Sequence, residues 1–413
     1  MNQQYFDVVV IGESLAGRIA AALLARSGLR LLTLRSARPI TGCAWGFSSL
    51  LLEKVLDQLD GRTVLNKPQT LQFLDREIRI ELNGRNSFGD EIRREFPRGA
   101  AQILRTSEAL ATLGEELAEL CWDSGGLPLG GLTSRWGFFW RSLRHGLTNG
   151  RLRVPLAKHL TKLGVADAAA LFGALLPALA LVPPERLSVG EAALLWHAAS
   201  RPESVSLPGL EQLLNRRYQQ FHGREEDIAI LDSVTPGSRQ PYRLQLKGQR
   251  QIAAGCLIVA DPAMTGYLPE AWRSSAPAQP LPGAVLQLTG EVSPVLSEQV
   301  VLAGQPPLRL AFSGAEKERR VVVEAAGAIS AAELTERLHR LCPFAGLNGE
   351  PLTGSVAATQ PSGLSTAIAR AAGGPGLFYC SATVLPALGC TGEALTALSV
   401  ATAIRQRLKK PAA

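Results

Sequence analysis

The chain predicts an α/β fold built on an N-terminal βαβ unit. Three observations predict it: a glycine-punctuated strand, turn, helix and strand at residues 7–35, a globular composition, and strand and helix patterns along the whole length. Residues 8–11 are a run of Val and Ile, the pattern of a buried parallel strand. Gly12-Glu13-Ser14-Leu15-Ala16-Gly17 follows, then an Ala/Leu-rich helical pattern that Gly28 stops, then a second apolar strand pattern at 29–34. The spacing is the dinucleotide fingerprint G-x-G-x-x-G with Ser14 in place of the middle glycine. Gly12 suits the turn, and Gly17 suits close helix–strand packing. The amides of Leu15, Ala16 and Gly17 open a helix whose dipole favours a pyrophosphate. An ordinary βαβ unit, with glycines that serve packing alone, is the competing reading. Ser14 adds a side chain where phosphates approach, although its hydroxyl can donate to phosphate. Arg35 ends the second strand, where an acidic residue ordinarily holds the ribose. An arginine cannot accept from ribose hydroxyls. Two roles stay open for it: a phosphate partner, as in NADP sites, or a solvated strand-end charge.

At 413 residues, 46% hydrophobic and 19% charged, the chain is a globular one of two or three domains. A net charge of +7 permits an anionic lipid, nucleic-acid or protein partner without choosing among them. The cysteines, 43, 121, 256, 342, 380 and 390, contain no C-x-x-C pair, so neither a zinc site nor a disulfide framework is expected. No signal-peptide pattern opens the sequence. No run of about 18 uninterrupted apolar residues predicts a transmembrane helix. A cytoplasmic location follows, with peripheral contact at a membrane surface as an option.

In order, residues 48–59 read as a helix, and 69–74 with 77–82 as a hairpin with one buried face. Residues 88–120 are charged and helical in part, broken at Pro97 and Gly99 and periodic from 106 to 120. After a glycine-rich linker at 125–131, residues 134–163 mix Trp136, Phe138, Phe139 and Trp140 with many basic residues. That mixture suits a membrane surface, an apolar substrate entrance or nucleic acid. The plainer expectation is an amphipathic helix packing its apolar face into the core. No recognised nucleic-acid reading motif is present. Residues 166–182, with Pro177 inside, read as a buried helix pair, and 185–197 as a helix. A turn at 206–210 leads into a helix reaching about Phe221. Strands are expected at 226–234, 242–247, 251–260, 283–288, 299–302, 309–313, 320–324 and 376–380, and helices at 331–341 and 391–408.

This order resembles the flavin-dependent phytoene desaturase and amine oxidase superfamily along nearly the whole chain. Four places carry the resemblance: the unit at 8–35; the hairpin at 71–82; Leu207-Pro208-Gly209-Leu210 through Leu257-Ile258-Val259-Ala260-Asp261-Pro262; and Gly376-Leu377-Phe378-Tyr379-Cys380-Ser381-Ala382 through Gly389-Cys390-Thr391-Gly392-Glu393. It implies an FAD/NAD(P)-binding Rossmann-like nucleotide domain at 1–68, 185–270 and 351–413. Interleaved with it, at 69–184 and 271–350, is a helical and mixed-sheet substrate domain.

The resemblance also implies an extended FAD. Gly12, Ser14, Leu15, Ala16, Gly17 and Arg35 would lie along its adenosine diphosphate and Ile230 on the adenine side. Gly42, Ala382, Cys390, Thr391 and Gly392 would lie toward the flavin. The family's closing Gly-Asp pair is Ser381-Ala382 here, so with Arg35 both carboxylates that hold the cofactor are absent. Losing two charge-assisted hydrogen bonds costs about 3–6 kcal/mol, roughly 100- to 10,000-fold in affinity. Glu393 is expected to cap its own helix. Cys43 and Cys390 are expected either to face one cavity or simply to be small buried residues. No general acid or base emerges, and the histidines at 145, 159, 197, 222 and 339 have no metal-ligand spacing. Three function classes follow. One is an FAD-dependent oxidoreductase passing hydride from an apolar or amine substrate to flavin. Another is a catalytically degenerate relative acting as a binding or structural subunit with a protein partner. The third is a nicotinamide-nucleotide binder that uses Arg35.

Overall fold

The computed structural model describes residues 4–35, 47–68, 70–75, 78–82, 87–129, 131–147, 149–183, 185–201, 203–237, 241–273, 283–290, 296–315, 318–325, 329–348 and 364–409. The opening unit forms as the pattern demands: β1 (Gln4–Ile11), α1 (Leu15–Arg26) and β2 (Leu31–Arg35). β1 pairs in parallel with β2 on one side and with strand Arg250–Val259 on the other. It is therefore buried on both faces, which is why it is apolar without alternation. Val8 and Val10 pack toward α1, whereas Val9 and Ile11 enter the larger core on the opposite face.

The sheet runs in the order 372–374, 377–379, 250–259, 4–11, 31–35, 224–227, with strands Leu231–Pro236 and Tyr242–Leu246 attached antiparallel at the 250–254 end. Its strands come from the start, middle and end of the chain. A second sheet has the order 345–348, 283–290, 318–325, 308–315, 299–302, 71–75, 78–82. Leu71–Asp75 joins it by pairing in parallel with Gln299–Leu302, across more than half the sequence. One apolar cluster links Val9 and Ile11 of the first sheet to Phe73 and Ile80 of the second.

Helices fill the space between. Ala100–Asp123 lies close on Val189–Ala199 because Gly114 has no side chain: a Cβ there would stand 2.2 Å from the Ala193 carbonyl oxygen. Ala166–Ala180 is one helix, not the expected pair. Pro177 falls in its last turn, and burial of Phe172, Leu175, Leu176 and Leu179 holds it despite the lost backbone bond. The expected strand at 226–234 is two. Asp227 accepts from the Ala229 amide at 2.8 Å and turns the chain, so 231–236 pairs with 242–246 and leaves β2.

Arg309, only 3% exposed, is satisfied twice in the second layer. It bonds Glu324 at 2.7 Å and donates to the Leu179 carbonyl at the end of helix Ala166–Ala180 at 2.9 Å. The C-terminal helix Gly389–Lys409 packs on α1. By length and composition it reaches the threshold of a membrane span, yet 83% of its most apolar window is buried, as in a core helix.

The sharpest departure is at Leu132–Arg144. The aromatic residues do not turn inward: Leu132, Trp136, Phe139, Trp140 and Leu143 are exposed, and among the helix residues only Ser142 is buried. Phe138 is the aromatic that packs against the core.

Candidate functional site

The fingerprint turn is built around two glycines that tolerate no side chain. Gly12 has φ +87°, and a Cβ on it would lie 2.6 Å from Cβ of Asp261 and 2.9 Å from Cγ of Met264. A Cβ on Gly17 would lie 2.5 Å from that of Ala260. The start of α1 is thus pressed against the end of strand Arg250–Val259, and the residues after that strand cover the turn.

Ser14 caps α1. Its Oγ accepts from the Gly17 amide at 2.9 Å and donates to the Cys380 carbonyl at 2.8 Å. The hydroxyl proton considered above as a phosphate donor is therefore committed inside the protein. It ties α1 to the end of strand Leu377–Tyr379.

The Ala16 amide, which faces a pyrophosphate in a dinucleotide site, donates to Oε2 of Glu393 at 2.9 Å. Glu393 is 1% exposed. It belongs to the second turn of the C-terminal helix, which begins at Gly389, so it caps α1 across 377 positions rather than its own helix as expected. The attraction of a helix N-terminus for negative charge is met by an internal carboxylate. Cys380 senses that carboxylate: burial, then the charge of Glu393, pushes its thiol pKa well up.

The same helix start supplies Cys390, Thr391 and Gly392, on the helix that packs on α1. They are packed in rather than presented to a groove. Cys390 and Thr391 are buried, and a Cβ on Gly392 would stand 2.5 Å from the Leu385 carbonyl oxygen. Ala382 lies in a partly exposed turn closed by a 2.7 Å Ser381–Thr383 hydroxyl bond. Gly42 and Cys43 lie outside the described residues.

At the other end, Arg35 is paired within the protein. Its guanidinium pairs with Glu225 at 2.7 Å, reaches Asn215 Oδ1 at 3.4 Å and lies 4.0 Å from Glu13. Arg18, whose pKa is lowered chiefly by burial, bonds Glu13, Glu211 at 2.9 Å and Asn215 at 2.9 Å. Thr33 donates to Tyr218, which donates to the Arg224 carbonyl. The cleft bordered by Gly12, Glu13, Arg18, Arg35, Asn215 and Glu225 has a cavity volume of about 20 Å³. That volume has room for a water. Ile230 ends a short turn just past Asp227, the residue in register with Arg35.

Tested against these residues, an FAD does not fit in the usual manner. One carboxylate sits on the diphosphate amide, a second, Glu13, stands in the loop itself, and the strand-end charge is spent on Glu225. Glu13, Arg18, Asn215 and Glu225 were not among the residues expected at this site. The visible signal was Glu13, an acidic side chain inside a phosphate-binding spacing. Among the described residues, no group of three His, Cys, Asp or Glu side chains is placed to hold a metal ion.

No family model matches the sequence, and no curated protein matches it. Solved structures do match in fold. Cyclohexylamine oxidase from Brevibacterium oxydans IH-35A is 13% identical over 98% of this chain and 100% of its own, with a TM-score of 0.57. Putrescine oxidase bound to putrescine is 13% identical over 99% and 100%, with a TM-score of 0.61. A Rab GDI from Plasmodium falciparum is 10% identical over 99% of each chain, with a TM-score of 0.53. The architecture is that of the amine oxidases from end to end, as the resemblance implied.

Proposed function

We propose that this chain is a binding or structural subunit built on the amine-oxidase fold, in which an internal carboxylate takes the place of a bound dinucleotide's diphosphate. The observation that carries this reading is the bond from the Ala16 amide to Glu393. Two unit negative charges about 4 Å apart repel by about 4 kcal/mol at an effective dielectric near 20, on the order of 1,000-fold in affinity. That penalty adds to the one already set by Arg35 and Ala382.

A second reading is favoured by the full-length likeness to two amine oxidases. It is an FAD-dependent oxidoreductase acting on an apolar or amine substrate, in which Glu393 turns away to admit the cofactor. Purified protein separates the two. The subunit reading expects a colourless preparation whose melting temperature does not respond to FAD. A yellow preparation with bound flavin, or saturable FAD stabilisation, would establish the oxidoreductase reading instead. Stabilisation by NADP alone would return Arg35 to a phosphate role, at the expense of its pair with Glu225.

A further inference from the structure

We propose that helix Leu132–Arg144 docks this protein onto an anionic phospholipid surface. At about 100° per residue, Leu132, Trp136, Phe139, Trp140 and Leu143 fall in one stripe roughly 100° wide. Arg135 borders one edge and Arg144 the other, with Arg141 beyond it. The stripe lies opposite Phe138, which faces the core. It faces solvent: Leu132 is 84% exposed, Trp136 62% and Trp140 52%. Trp136, Phe139 and Trp140 contact one another at centroid distances of 5.7–6.0 Å. An apolar stripe with arginine along both margins is the arrangement of a helix lying in a membrane interface, rings at headgroup depth and guanidiniums on the phosphates.

The charge distribution selects the occupant. Residues 124–166 contain seven Lys and Arg and no Asp or Glu, so they carry the entire formal net charge of +7 while the rest of the chain balances. A positively charged segment that also exposes tryptophans complements a negative surface with an apolar interior. An acidic protein partner matches the charge without requiring the aromatic stripe, and a second copy of this chain would bring like charge against like.

The test is co-sedimentation of the full chain with phosphatidylcholine vesicles, with and without phosphatidylglycerol, at low salt. Tryptophan emission is followed on the same samples. Binding is expected to the anionic vesicles only, with a blue shift. The double variant Trp136→Ser/Trp140→Ser should lose at least about tenfold in binding and also the blue shift. Arg141→Glu and Arg144→Glu should each lose roughly fivefold or more. These side chains are exposed, so circular dichroism melts should match the parent. Failure to bind anionic vesicles, equal binding to neutral ones, or unchanged binding of the tryptophan variant would each overturn the proposal. So would a dimer in sedimentation that the tryptophan variant abolishes without any vesicle binding, since that would make the face a contact between copies.

Discussion

Replacing Glu393 by alanine removes the acceptor of the Ala16 amide and the negative charge at the start of α1. The bond is 2.9 Å long and buried, and a buried hydrogen bond to a charged group is worth about 1.5–3 kcal/mol. The helix-terminus interaction adds up to about 2 kcal/mol in partly buried geometry. Relief of carboxylate desolvation offsets part of this. A net loss of about 2–4 kcal/mol is expected for Glu393→Ala. Glu393→Gln keeps an acceptor and should lose only about 1 kcal/mol. Ser14→Ala removes a cap from the same helix end and should lose about 1–2 kcal/mol. Urea unfolding at constant m-value reads all three. If Glu393→Ala unfolds at the parent's midpoint, the carboxylate does not hold α1 and does not stand in for a phosphate there.

Three further predictions follow from other parts of the chain. Arg309→Met should destabilise by about 3–5 kcal/mol because it strands Glu324 beside the end of helix Ala166–Ala180; the added change Glu324→Leu should recover much of it, and a denaturation cycle on the two variants checks this. His197 has its pKa held below the ordinary 6.5, by burial first and Arg201 next, so below pH 6.5 the unfolded chain binds the extra proton. Stability should therefore fall as pH drops from 6.5 toward the folded value and gain nothing above 6.5, and urea midpoints for the parent and His197→Gln should show the slope only in the parent. Burial pushes the Cys121 thiol up to about 12 and the Cys256 thiol up to about 11, so native protein at neutral pH should leave both unmodified by a small alkylating reagent, and modification at the rate of a free thiol would refute their burial.

Much of the architecture was legible because local pattern and tertiary role agree. β1 is β-branched and runs between two parallel neighbours, and the hairpin strands 71–75 and 78–82 pair as their alternation predicts. Helix Ala331–Leu341 begins and ends where periodicity places it, with Ser330 as its cap. Legibility fails where a distant residue decides. Glu393 has no local feature that announces a bond to Ala16, and the pairing of Arg35 with Glu225 depends on strand Arg224–Asp227 lying beside β2. The aromatic helix misled for a different reason. Its periodicity identifies a coherent apolar stripe but cannot say whether that stripe meets the core or the solvent, and here the partly buried Phe138 and the buried Ser142 take the inner side.

Whether a protein carboxylate has taken the diphosphate's position is read from a crystal structure grown with FAD in excess. Glu393 is expected on the Ala16 amide, with no diphosphate over residues 15–17. A diphosphate oxygen on that amide, with Glu393 turned aside, would contradict it.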